Sequence, residues 1–121
     1  MSTERRKQPR HKLKVEAKVA TPDGSISVIV TDISGEGVHL LSPKAIQSGT
    51  KVMVSLLIED EASLSGSVAW ILDSYIRGQH VYQIGVEIEA VILPEINAIG
   101  FHEKAEMVQE ILSRVNSTAE E

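Results

Sequence analysis

The feature that most restricts the fold of this chain is a strict alternation of apolar and polar residues that recurs in short stretches. In Leu13-Lys14-Val15-Glu16-Ala17-Lys18-Val19 every second side chain is apolar. That is the period of an extended strand, whose successive side chains point to opposite faces. The pattern resumes at Ile26, Val28 and Val30, in the short run Val38 to Leu41, and at Val52, Val54, Leu56 and Ile58. It returns at Leu64, Gly66, Val68 and Trp70, and again at Tyr82, Ile84, Val86 and Ile88. Six short strands, each with one face for a core and one for water, predict an all-β antiparallel barrel or sandwich.

The connections carry turn chemistry. Thr21-Pro22-Asp23-Gly24 joins the first two strands as a hairpin, because proline presets its φ and glycine tolerates positive φ. Asp32-Ile33-Ser34-Gly35-Glu36-Gly37 interrupts the alternation with two glycines, Ser42 to Thr50 is a polar connection, and Asp73 to Gln79 reads as a loop. Pro94 to Gly100 reads as a turn of helix ended by Gly100. Beyond it Phe101, Ala105, Val108, Leu112 and Val115 recur at spacings of four and three, the signature of an amphipathic helix. The resulting division is a basic arm over 1–12, a barrel over 13–93, a helical segment over 94–116 and a tail over 117–121. The stripe holds a heptad for only about two repeats, too few for a coiled coil, so docking on the barrel and a monomer or weak dimer are expected.

At 121 residues, 42% hydrophobic and 24% charged, the chain matches one ordinary globular domain. No apolar run reaches the length of a membrane span, the start lacks the apolar core of a secretory signal, and there is no cysteine. A cytoplasmic protein away from membranes is expected. The net charge of −5 conceals an asymmetry: residues 1–14 hold six basic side chains and one acidic, +5, which leaves −10 for the rest. A basic arm on an acidic body suits a small, highly charged anion and repels duplex DNA.

Within the arm, Arg6 and Arg10 stand four apart around Pro9, which disfavours helix at Gln8 and removes a backbone donor. An arginine fork makes bidentate bonds to phosphate oxygens and matches the O6 and N7 acceptors of guanine. Taken alone, such a pair is more often a solvated basic tail. The second element supplies complementary groups: Asp32 offers a carboxylate to the guanine N1 and N2 donors, Ser34 a hydroxyl, and Gly35 and Gly37 a backbone that a planar ring can approach. An aspartate and serine that bond only their own backbone are an equally common fate for such a loop, and both readings stand open here.

The two elements together, in this order and on this strand pattern, resemble the PilZ family, whose signature is an R-x-x-x-R arm followed by D/N-x-S-x-x-G. Arg6 and Arg10 match the first, and Asp32, Ser34 and Gly37 the second. The resemblance extends through Gly49-Thr50-Lys51-Val52, Gly66-Ser67-Val68-Ala69-Trp70 and Ile84-Gly85-Val86-Glu87-Ile88, and so covers residues 5–91. It implies a six-stranded antiparallel β-barrel with a C-terminal helix. It also implies a receptor for cyclic di-GMP whose arm folds over the barrel to clamp the ligand and thereby presents a new surface to a downstream protein. Arg5 is a further ligand candidate, since a long basic residue there goes with a stacked pair of ligands, two per chain. Trp70 and His39 are secondary candidates beside Gly35. A tryptophan on a strand is more often core than stacking platform.

His11, His39, His80 and His102 lie in separate segments without metal-ligand spacing, and neither a nucleophile elbow nor a paired-carboxylate constellation is present. Neither a metal, a cofactor nor catalysis is expected. Two rivals remain. One is a PilZ-like protein-interaction module without a nucleotide ligand, a class in which the arginine arm is usually lost. The other is a barrel for single-stranded nucleic acid, which four aromatic residues serve poorly.

Overall fold

The computed structural model describes residues 10–58 and 61–119, with side chains to 115. Seven strands and one helix follow in order: β1 (His11–Thr21), β2 (Gly24–Ile33), β3 (Gly37–Ser42), β4 (Lys51–Leu56), β5 (Ala62–Ile76), β6 (Gln79–Leu93), β7 (Ile96–Ala98) and α1 (Phe101–Ala119). All pairings are antiparallel. The order is β3-β2-β1-β4-β5-β6-β7, and β3 also pairs with β6, Gly37 opposite Glu87 through Ser42 opposite Tyr82. That last ladder closes β1 to β6 into a six-stranded ring, the expected fold, with β7 appended to the end of β6.

The alternation becomes burial as read. On β1, Val15, Ala17 and Val19 are buried while Lys14, Glu16 and Lys18 are exposed. Val30, Leu40, Val54, Leu64 and Ile84 meet them in one core with no exposed surface of their own. Burying each such side chain stabilises the fold by about 1.5–3 kcal/mol. Closure brings β5 and β6 close together: a Cβ at Gly66 would lie 1.9 Å from the Glu87 carbonyl oxygen, beside a register shift in which Glu89 is the extra residue of β6. Outside the ring Lys51 bonds Glu89 at 2.8 Å and holds its carboxyl below the usual range, an exposed pair of little weight for stability.

Four differences from the sequence reading have physical causes. β1 begins at His11, not Leu13, because His11 and Lys12 pair through their backbones with Ile33 and Asp32 whatever their side chains. Asp73 to Gln79 is not a loop: β5 and β6 continue to a two-residue turn, Arg77-Gly78, with φ of 54° and 80° at the two positions. Both signs are those of a type I′ hairpin turn. Pro94 to Gly100 is not helical but a turn followed by β7, which pairs Ile96 with Leu93 and Ala98 with Val91. The helix then runs to Ala119, past the expected tail boundary.

Gly100 starts that helix. Its N–H donates to Glu103 Oε1 at 3.2 Å while its carbonyl accepts from Lys104 N, half of a reciprocal capping arrangement. Val108 and Ile111 are the buried helix residues, and Phe101, expected in the stripe, is exposed. Lys104 Nζ donates to the Ile88 carbonyl at 3.0 Å, Arg114 pairs with Glu95 and Glu110, and Gln109 Nε2 lies 3.1 Å from His11 Nε2. The helix thus docks on β6 and β7, as expected, and touches the first residue of β1. No described helix is long and apolar enough to cross a membrane.

Candidate ligand-binding groove

Arg10 stands at the root of the arm, and its guanidinium lies 3.6 Å from Asp32 on β2. That is an ion-pair distance, longer than a hydrogen bond. Asp32 is buried by its strand position, paired with Lys12 on β1 and His39 on β3. Arg5 and Arg6, the other arm candidates, lie outside the described residues.

The loop between β2 and β3 is organised by Ser34. Its Oγ accepts the N–H groups of Glu36 at 3.1 Å and Gly37 at 3.2 Å, and its own N–H donates to the Gly37 carbonyl at 2.8 Å. The serine therefore does what the self-bonded reading foresaw. Its hydroxyl proton remains to donate outward. Gly37 fits because a Cβ there would press to 3.0 Å on the Val86 carbonyl oxygen of the closing strand. Gly35 is buried within the loop, away from the groove surface.

Trp70 is turned out of the core by one residue. The register of β5 against β6 shifts between Val68, opposite Val86, and Trp70, opposite Gly85. Such a bulge moves every later side chain to the other face. Trp70 is consequently 37% exposed on the outer surface. A Cβ on Gly85 would come within 2.3 Å of the indole, so the ring lies flat against bare backbone. His39 leans on it from β3, with ring centroids 5.5 Å apart and planes at 36°.

Arg10, Ser34, Gly37, His39, Trp70 and Gly85 all border one groove of about 250 Å³ on the outside of the ring, with Glu36 and Glu87 on its rim. Fold closure unites residues that are far apart in sequence. A guanidinium and an aromatic ring both line the groove. Two other hollows, of about 320 and 400 Å³, contain none of these residues. Among the described residues no cluster of three or more His, Cys, Asp or Glu side chains could hold a metal. Sequence reasoning missed the Gly85 contact, for which the only signal was a glycine in a strand interior.

A closed antiparallel barrel thus carries an external groove framed by an arm-root arginine and a serine-capped glycine loop. The PilZ domain model matches residues 4–100, and the chain belongs to that family. PilZ domains form a cyclic di-GMP-binding family of receptor and adaptor modules, not catalysts. Among solved structures the chain is similar to the Bacillus subtilis inhibitor of motility, MotI/DgrA, with a TM-score of 0.63 and 15% identity. The likeness covers 92% of this chain and 51% of that one, so the chain spans about half of that structure's length. No curated protein sequence matches it.

Proposed function

We propose that this chain is a cyclic di-GMP receptor in which Arg6 and Arg10 clamp the ligand's phosphates and guanine. In this reading Asp32 takes the guanine N1 and N2 donors, and Ser34 and Gly37 shape the loop beneath. The observation that carries the reading is the position of Arg10. It is the arm's described arginine, and its fork reaches the Asp32 carboxylate at the border of the groove. Arg10 is half-exposed and its contact with the buried Asp32 carboxylate is longer than a hydrogen bond, so a phosphate can recruit the guanidinium while the guanine donors take its place on Asp32. Arg5 extends the basic edge toward a stacked pair of ligands, two per chain, and Trp70 supplies a face on which a base can stack.

Ordering of the arm lowers its entropy, which the charged contacts must exceed, and it creates a surface for a downstream protein in the cytoplasm. Because His11 and Lys12 already belong to β1, the segment that ligand orders ends at Arg10, not at residue 12. The likeness to MotI/DgrA, an inhibitor of motility, agrees with an output in motility or biofilm behaviour.

Titration calorimetry with cyclic di-GMP tests the assignment. A charge-assisted bond is worth about 1.5–3 kcal/mol, so Arg10→Ala weakens binding roughly ten-fold to over one hundred-fold. Unchanged affinity in that variant sinks the arm's role. Absence of heat with the natural chain favours the rival, a docking module without a nucleotide. The molar ratio at the end point distinguishes one ligand from two.

A further inference from the structure

The charges of the groove present a difficulty for an anionic ligand. Among the described residues that line the groove or pair with its lining, Arg10 is the single permanent cation, facing the carboxylates of Asp32, Glu36 and Glu87. Beyond the arm's other arginines, a dianionic ligand entering this field gains from any further positive charge near Arg10. One groove residue is able to supply it on demand: His39, because imidazole is the side chain whose charge changes near neutral pH.

The hydrogen bonds around His39 are arranged so that a proton can be added without breaking any of them. Gln83 donates through Nε2 to Ser74 Oγ at 3.1 Å, which turns its carbonyl oxygen toward His39 Nε2 at 3.3 Å. That nitrogen must therefore carry a hydrogen. Nδ1 is bonded to Thr31 Oγ1, and in the neutral ring it accepts the threonine proton. Thr31 Oγ1 is also 3.3 Å from the His39 carbonyl oxygen, to which it can donate instead. When Nδ1 gains a proton, Thr31 swings its hydroxyl hydrogen to that carbonyl and accepts from the ring. Every donor keeps a partner in both states, so no orphaned polar group penalises the charge.

The elements packed around the ring carry charges of both signs. Across β2 stands Asp32, itself opposite Lys12; the β2–β3 loop brings Glu36, β6 brings Glu87, and Arg10 precedes β1. From β5 comes the indole of Trp70, whose face attracts a cationic ring. Resting on the cyclic di-GMP reading above, we propose that His39 is a proton-coupled contact of this site, taking up a proton as the anionic ligand binds. The charge acts through the ring, since both nitrogens stay with Thr31 and Gln83.

The test is calorimetry of cyclic di-GMP binding to the full chain in two buffers of different ionisation heat, repeated from about pH 8 to 6. Expected are a fractional uptake of up to one proton per chain and an affinity that rises by up to ten-fold per pH unit. His39→Gln, which can still bond Thr31 and Gln83, abolishes both the uptake and the rise. As a readout without any variant, ring-nitrogen NMR of the natural chain shows His39 Nδ1 passing from bare to protonated on ligand addition at neutral pH. Binding without proton uptake, or uptake that survives His39→Gln, overturns the proposal while leaving the receptor reading intact. Absence of binding at any pH overturns both.

Discussion

At position 85 any side chain would have to displace an indole. Gly85 leaves its backbone bare, and Trp70 occupies the space where a Cβ would stand, 2.3 Å from the nearest ring atoms. The expected result of Gly85→Ala is a tryptophan pushed into water and away from His39. Its fluorescence shifts to the red, cyclic di-GMP affinity falls about ten-fold, and stability drops by about 1–3 kcal/mol, the usual cost of overpacking. Emission spectra with a urea titration check it, and an unmoved spectrum refutes the packing account. None of this was legible beforehand. Val68-Ala69-Trp70 continues a perfect alternation on paper, and only the ladder against β6 reveals that Ala69 is the bulged residue that sends Trp70 outward. By contrast the turn at Asp32 to Gly37 was legible, because two glycines and a serine interrupt the alternation there. Which partner Ser34 serves was not, since its Oγ bonds the chain just ahead of it.

The long hairpin of β5 and β6 shows how much an element can exceed its sequence pattern. Six strands were readable from period-two runs, but the outer half of this hairpin, Leu72 to His80, is largely exposed and so lacks the alternation that marks a buried strand. Leu72, Tyr75 and Ile76 are exposed, and Tyr75, His80 and Tyr82 stack in a row instead. The cross-strand pair of Tyr75 and His80, worth about 0.2–1 kcal/mol, and the tilted contact of His80 with Tyr82 along β6 support the ribbon where burial does not. Its turn contains the described non-glycine residue with positive φ, Arg77 at 54°, a conformation that costs an L-residue about 1–2 kcal/mol. Replacing Arg77 with glycine removes the clash but adds freedom to the unfolded chain, so a net stabilisation of about 0.5–1 kcal/mol is expected. Chemical denaturation measures it, with ligand affinity as a control because Arg77 lies outside the groove. A loss of stability would show that the arginine side chain contributes contacts that outweigh its backbone strain.

On the scale of the whole molecule the closed ring and the charge asymmetry work together. Closure by β3 on β6 fixes the positions of Gly37, His39, Trp70 and Gly85, so the groove is preformed on its barrel side. The arm brings +5 to a body of −10. These charges attract one another over a Debye length of about 10 Å at 0.1 M salt and much less at 1 M. In the receptor reading the acidic body repels extended polyanions, whereas a compact dianion can be met by the arginines at close range. Raising salt from about 0.05 to 0.5 M shortens the screening length roughly three-fold and weakens the arm's contacts with phosphate. Cyclic di-GMP affinity is then expected to fall by about ten-fold, mostly in the association rate, because long-range steering is lost while the short-range forks remain. Stopped-flow binding across that salt range measures the two rates separately, with a single-stranded oligonucleotide of equal concentration as the comparison. A salt-independent association rate would mean that the arm finds its ligand without help from the field. Oligonucleotide binding as tight as cyclic di-GMP would mean that the acidic body does not discriminate, and the charge distribution would then have no part in choosing a small ligand over a long one.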